Sequence, residues 1–479
     1  MSGFVEVLYG KRMKTYEVPE MPILLLEQIE DGCFLFEQRH AALFSEPGTG
    51  KTLAALYALM KAHTDLEDKT GHCAKVLIVV PSIAVRNWVI WLACSLDMTE
   101  GKSGIQVIKS GHDEIPNNTD HIICTYGMLS RGDSPLVVKL KEWEPEVVIL
   151  DESHNLSNAS STRTKVIYEK LIETASFVWC LTGTPVIRYS DDLYSTLMAL
   201  RPDLMNYLGY KNLTKFREKF CVVKLMRFGR QLFPKTVVVR NKNMEELNDL
   251  IYTKNIARRR LLIDIAPKLP QIRERMISVS FNQSRALLDL TTDAMEVQRG
   301  FDGVDIISPT MARACHLLGV EKALCVVDYL EELEREKLAV GDDKATIVLY
   351  WHREAGRAMQ QEAEERGFTV GLIDGSTSSN QRDKLVESFN KGELHFLLGQ
   401  IAAMGVSLNL QEGGNHAVFA ERSWSDASNE QAYSRIFRMG QDSDVTVDYL
   451  ISDSPLEEAR TTVLARKKSG TKQIIERMQ

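Results

Sequence analysis

The sequence predicts an α/β protein built on two parallel sheets, and three observations carry that prediction. Short apolar runs alternate with helical stretches over about the first 200 residues. The same alternation returns from about Ala345 to Ser452. Between these regions the chain is mostly helical in pattern, with few strand runs. Strand–helix alternation implies a doubly wound parallel sheet, because each parallel strand needs a crossover to return the chain.

In the first region the strand candidates are Ala41–Phe44, Lys75–Val80, His121–Thr125, Val147–Leu150 and Phe177–Leu181. Each is a continuous apolar run, the pattern of a strand buried on both faces. Helical patterns such as Thr52–Ala62 lie between them. In the second region the candidates are Thr346–Tyr350, Thr369–Ile373, Glu393–Leu398, His416–Ala420 and Val445–Ile451. We therefore expect one lobe over residues 1–205, a helical and basic insertion over 206–340, and a second lobe over 341–479.

The chain has 479 residues, 44% hydrophobic and 26% charged. That composition excludes a disordered chain, a collagen-like repeat and a small disulfide scaffold. None of the eight cysteines forms a C-x-x-C pair, so a structural zinc site has no signature. The N-terminus has no signal-peptide core, and no apolar run reaches the roughly 18 residues that span a bilayer. An intracellular location in cytoplasm or nucleoid, without a membrane, is expected.

The first chemical motif follows the first strand directly. Ser45-Glu46-Pro47-Gly48-Thr49-Gly50-Lys51-Thr52 joins that strand to a helix. Strand, glycine loop and helix form the context of a phosphate-binding P-loop, or Walker A motif. Gly48, Thr49 and Gly50 let backbone N–H groups curl around phosphate oxygens at the positive end of a helix. Lys51 is expected on the β and γ phosphates of ATP, and the Thr52 hydroxyl on Mg²⁺. The strand Val147–Leu150 ends in Asp151-Glu152-Ser153-His154. Carboxylates at that end of a parallel strand lie in the ligand crevice of an open sheet. Asp151 is expected to help hold Mg²⁺, and Glu152 to orient and deprotonate the attacking water. A third strand ends in Leu181-Thr182-Gly183-Thr184-Pro185, where hydroxyls suit sensing of the γ-phosphate.

Taken in order, these motifs resemble superfamily-two helicases and translocases, and more finely the Swi/Snf-type DNA-dependent ATPases. Gln28 looks like the family's adenine-reading glutamine. Val79-Val80-Pro81-Ser82 with Asn87-Trp88 looks like motif Ia, and Thr125-Tyr126 like motif Ib. Asp151 to Lys165 resembles an extended, DEAH-like motif II. Arg258-Arg259-Arg260 followed by Leu269-Pro270 looks like a basic segment of this branch. Asp374-Gly375-Ser376-Thr377, Arg382 and Phe389-Asn390 resemble a second-lobe motif. Gly405 to Leu410 looks like motif V, and Gln431 to Gln441 like motif VI. Two positions depart from the pattern: Ser45 opens the P-loop, and Trp424-Ser425-Asp426 stands where Trp-Asn-Pro is usual.

The resemblance implies two RecA-like lobes in tandem and ATP hydrolysis with Mg²⁺. It implies Gly405 at the nucleotide, and Pro81, Thr125, Tyr126, Arg258, Arg259, Arg260, Ser376 and Thr377 on nucleic acid. Arg435 and Arg438 read as i, i+3 neighbours on one helical face, suited to act as arginine fingers on phosphate. A minimal bacterial or viral member is expected, working as a monomer in cytoplasm, or in host cytoplasm if viral.

Charge is unevenly spread. Residues 211–275 carry 17 Lys+Arg and 6 Asp+Glu, a net of +11, while the whole chain is at −7. That block reads as a surface for DNA backbone, with Phe216, Phe220, Phe228 and Phe233 as core rather than base-stacking groups. The reading is an ATP-driven translocase on duplex or branched DNA. Alternatives are a strand-separating DNA or RNA helicase, and the motor subunit of a restriction or recombination complex whose protein partner supplies specificity.

Overall fold

The computed structural model describes residues 3–96, 102–132, 134–226, 234–266, 269–299, 308–404, 408–438 and 440–475. The chain divides into two compact units. The first comprises residues 1–223, 240–265 and 470–479, and the second residues 224–239 and 266–469.

The first unit holds a nine-stranded sheet. Its strands are β1 (Gly3–Tyr9), β2 (Arg12–Val18), β3 (His40–Leu43), β4 (Val76–Val80), β5 (Lys102–Val107), β6 (His121–Thr125), β7 (Val147–Asp151), β8 (Phe177–Leu181) and, after β9 (Cys221–Met226) and β10 (Lys235–Asn241), β11 (Ala257–Arg258). The order is β11-β3-β8-β7-β4-β6-β5-β1-β2, parallel throughout except for the β1–β2 hairpin. Central β4, VLIVV, is buried at every residue. Leu77 and Val79 enter the large core beneath the sheet. Their neighbours Val76, Ile78 and Val80 point to the opposite face, since strand side chains alternate. This is why the strand reads as a run rather than an alternation.

The second unit holds β12 (Ile272–Val279), β13 (Ala345–Tyr350), β14 (Val370–Ile373), β15 (Phe396–Gln400), β16 (Gly414–Phe419) and β17 (Val445–Ser452). They run in the order β12-β17-β16-β13-β15-β14, all parallel. Buried Asp448 of β17 ties three elements together. It accepts from Arg275 through both oxygens (2.6 and 2.7 Å) and from the Tyr329 hydroxyl (2.7 Å), and pairs with His416 Nε2 (2.5 Å). Burial alone would raise this carboxyl, but the bonds from His416, Arg275 and Tyr329 hold it well below the usual range.

All ten expected strands form. The expected insertion, residues 206–340, does not stand as one helical module. β11 joins the first sheet beside β3, and β12 joins the second beside β17. The helix Ala323–Val340 supplies Val326, Val327, Leu330 and Leu333 to the second unit's core. The last residues also depart from the expected boundary. Ile474 and Ile475 are buried in the first unit's core, where Asn248 and the Tyr252 hydroxyl donate to their carbonyls, each at 2.7 Å.

Candidate nucleotide site

The C-terminal edge of the first sheet assembles the motifs. Helix α1 (Leu26–Gln38) precedes β3, and α2 (Lys51–Thr70) follows the P-loop. Gly50 ends the loop at φ 83, in the left-handed region, and no side chain caps the first turn of α2. A Cβ at Gly50 would crowd only the movable amide end of Gln28, so it is the left-handed torsion that favours glycine here. The Lys51 ammonium donates to the carbonyls of Ser45 (2.8 Å) and Glu46 (2.9 Å). Thr49 is buried, its hydroxyl donating to Glu46 O at 2.8 Å. Uncapped helix N–H groups, two left-handed glycines at 48 and 50, and a loop-held ammonium fit a polyphosphate.

Gln28 is buried against this loop. Its amide donates to Thr49 O (3.4 Å), and its oxygen accepts from Leu25 N–H (3.1 Å).

Asp151 closes β7 beneath the loop. Its Oδ2 accepts from the Trp88 indole at 2.8 Å, and its Oδ1 from the Glu152 N–H at 3.0 Å. Its carboxyl is pushed up, first by burial and then by the charge of Glu152; the Trp88 donor and the Lys51 charge oppose this. A buried carboxyl with a raised pKa gains most from a nearby cation, so the group fits a divalent metal. Glu152 sits at φ 50, a conformation rare for residues other than glycine. Its Oε2 is 3.2 Å from His154 Nδ1 and 3.5 Å from the Thr182 hydroxyl. That histidine nitrogen is also 2.9 Å from Thr182 Oγ1 and 3.3 Å from Thr184 Oγ1. One imidazole thus joins the threonines that follow β8 to Glu152 at the end of β7.

Two groups of expected nucleic-acid residues, Tyr126 and the arginine cluster, carry bonds within the first unit. Tyr126 is 4% exposed, and its hydroxyl donates to the Asp151 carbonyl at 2.6 Å. Its side chain serves the nucleotide edge instead of presenting itself to a ligand at the surface. Pro81 and Thr125, by contrast, stand half-exposed at the ends of β4 and β6.

Each arginine of the cluster has partners within the first unit. Arg258 donates to Glu30 O (3.0 Å) and stacks on Phe34. Arg259 donates to Phe44 O (2.8 Å) and pairs with Glu46 (3.5 Å). Arg260 grips Asp31 (2.9 Å) and Glu30 (2.5 Å). These guanidinium groups brace the P-loop and α1. Part of the wider basic block is also paired: Arg217 with Asp191, Lys219 with Glu246, Arg273 with Asp444. Phe216 and Phe220 are fully buried core, as read; Phe228 and Phe233 lie outside the described residues.

In the second unit, Ser376 is exposed after β14, and its N–H and hydroxyl donate to Asp374, as a turn. Thr377 is half-buried, its hydroxyl accepting from Asp374 N–H. Arg435 and Arg438 do not share a helical face: the helix Asp426–Tyr433 ends before them, with Ser434 as its cap. Arg435 donates to Gln431 O at 3.0 Å, and Arg438 to Leu408 O at 3.2 Å and to the Asn409 side chain. Gly405 lies outside the described residues. No helix among the described residues is long and apolar enough to cross a membrane.

Two family models match. The SNF2-related domain covers residues 5–295, and the helicase conserved C-terminal domain covers residues 325–440. Human "DNA annealing helicase and endonuclease ZRANB3" is 26% identical over 405 residues, 83% of this chain and 36% of that protein. The Bacillus subtilis "putative ATP-dependent helicase/translocase YwqA" is 25% identical over 462 residues, 91% of this chain and 46% of that protein. The chain therefore spans less than half the length of these relatives. Among solved structures, a Sulfolobus solfataricus SWI2/SNF2 ATPase core in complex with double-stranded DNA covers 96% of this chain and 94% of its own, at 21% identity and a TM-score of 0.43.

Proposed function

The chain belongs to the SNF2-related family, and on that premise we propose that it is an ATP-driven motor that translocates on duplex DNA. The observation that supports this best is the double attachment at Asp151. Trp88, in the same motif Ia stretch as the expected DNA contact Pro81, donates to its carboxylate. Tyr126, beside Thr125, donates to its carbonyl. Residues of the two expected DNA motifs, Ia and Ib, are thus bonded to the residue expected at the metal, which suits coupling of DNA engagement to hydrolysis.

In this reading Lys51 leaves its loop carbonyls to neutralise the β and γ phosphates. The backbone N–H groups of Gly48 to Thr52 hold the remaining phosphate oxygens. Thr52 and Asp151 would hold Mg²⁺, which when bound neutralises phosphate charge. Glu152 orients water and takes its proton, with His154 fixing the carboxylate. Gln28 and Gly405 keep their assignment to the nucleotide, and Arg435 and Arg438 to the phosphate charge developed during transfer. Pro81, Thr125, Ser376 and Thr377 contact the DNA backbone, so the motor is insensitive to sequence.

The test is an ATPase panel over duplex, forked, junction and single-stranded DNA, and RNA. Duplex should stimulate turnover several-fold, and Lys51→Ala or Glu152→Gln should abolish it without loss of fold. Equal turnover with and without nucleic acid sinks the motor reading. Preference for RNA or single strands favours a strand-separating helicase.

A further inference from the structure

The two N-terminal strands place a set of unneutralised cations on the edge of the sheet that carries the expected DNA motifs. β1 runs parallel to β5, with Tyr9 opposite Val107. β5 runs parallel to β6, and β6 to β4, with Thr125 opposite Val80. The end of β1, Lys109 two residues beyond β5, Thr125 and Pro81 therefore all lie at the C-terminal edge of one sheet. Neighbouring strands are about 4.8 Å apart, which puts the β1 tip roughly 10 Å from the end of β6.

The turn between β1 and β2 is two residues, Gly10-Lys11, closed by Tyr9 opposite Arg12. Gly10 has φ 64 and donates to Val107 O at 2.8 Å, which fixes the tip against β5. Glycine at the first position of a two-residue loop is what a type II′ hairpin requires. Lys11, Arg12, Lys14 and Lys109 are exposed around this tip. The ammonium groups of Lys14 and Lys109 stand 4.0 and 4.4 Å from the centre of the Tyr9 ring. Within the described residues none of the four is paired with a carboxylate. Asp113, which follows Lys109 in the same loop, is buried and already accepts from the N–H groups of Lys109 and Ser110. Four like charges gathered on one edge repel one another unless an anion bridges them.

We propose that this tip is a further contact for the nucleic-acid phosphate backbone, extending the first unit's footprint past Thr125 along the sheet edge. Each cation neutralises one phosphate, and the Tyr9 ring orients Lys14 and Lys109 through cation–π contact. The inference rests on the reading of the chain as a DNA motor.

The experiment measures duplex DNA binding by fluorescence anisotropy across a salt series. It compares the full chain, the quadruple variant Lys11→Gln/Arg12→Gln/Lys14→Gln/Lys109→Gln, and a control, Lys69→Gln/Lys141→Gln, that removes exposed charges elsewhere. Every phosphate that is no longer neutralised should lower the slope of log affinity against log salt by roughly 0.9, a fall of about three to four in the quadruple variant. The control should keep its slope, and hydrolysis without DNA should be unchanged in all three. A quadruple variant with the slope of the unmodified chain overturns the hairpin contact and leaves the motor reading standing. An unmodified chain that neither binds duplex nor is stimulated by it overturns both.

Discussion

The indole N–H of Trp88 donates 2.8 Å to Oδ2 of Asp151, joining the start of α3 (Val85–Ser95) to the end of β7. Trp88 is 1% exposed, and it opposes the burial that raises the Asp151 carboxyl. In Trp88→Phe that donor is gone and the carboxyl rises further. The ionised form then needs a higher pH, so the acid limb of the ATPase profile should move to higher pH. A hydrogen bond to a charged group is worth about 1.5–3 kcal/mol, which corresponds to a turnover loss of roughly 10- to 100-fold near the original limb. An unmoved pH profile would show that the bond does not tune Asp151.

Tyr126→Phe separates two roles for motif Ib. If the hydroxyl serves only the Asp151 carbonyl, the variant should bind DNA with unchanged affinity but lose most of the stimulation by DNA. The buried acceptor left unpaired should cost about 1–3 kcal/mol of stability, read by urea denaturation. Weakened DNA binding with intact coupling would return Tyr126 to the nucleic-acid surface.

Arg260→Ala tests the reassignment of the arginine cluster. Asp31 is 4% exposed and its carboxyl is raised, because burial outweighs the opposing charges of Arg260 and Arg258. Removing Arg260 should destabilise the chain by roughly 1–3 kcal/mol and weaken nucleotide binding. The salt slope of DNA binding should stay the same; a slope reduced by the value of a single phosphate would restore the original expectation.

His63 and His121 meet with their Nε2 atoms 3.0 Å apart. Burial pushes His63 down to about 4 and His121 down to about 3. The unfolded chain takes up protons near pH 6.5 while the folded pair does not, so both contribute stability that is present above 6.5 and lost on acidification towards 4. The slope in that window is up to about 1.4 kcal/mol per pH unit for each histidine. Thermal denaturation from pH 7.5 to 4.5 should show a falling Tm, and His63→Gln a shallower fall. Parallel curves for the two chains would remove the pair from the acid response.

The sequence alone determined the two parallel sheets, because strands buried on both faces are written as apolar runs such as VLIVV at 76–80. It also determined the P-loop and the Asp151-Glu152 pair, whose chemistry depends on neighbours close along the chain. The hairpin at residues 3–18 was not among the expected strands, because its Gly-Lys turn is a faint signal beside Asn-Gly or Asp-Gly. Tertiary structure decided the partners. Local charge density marks Arg258, Arg259 and Arg260 as basic, but only the fold brings Glu30, Asp31 and Glu46 to them from more than 200 residues away. Motif order places Tyr126 near nucleic acid, but only the register of β6, β4 and β7 buries its ring and turns its hydroxyl to Asp151. A residue's type is local and its partner is not, so the chemistry could be read from the chain and its targets could not.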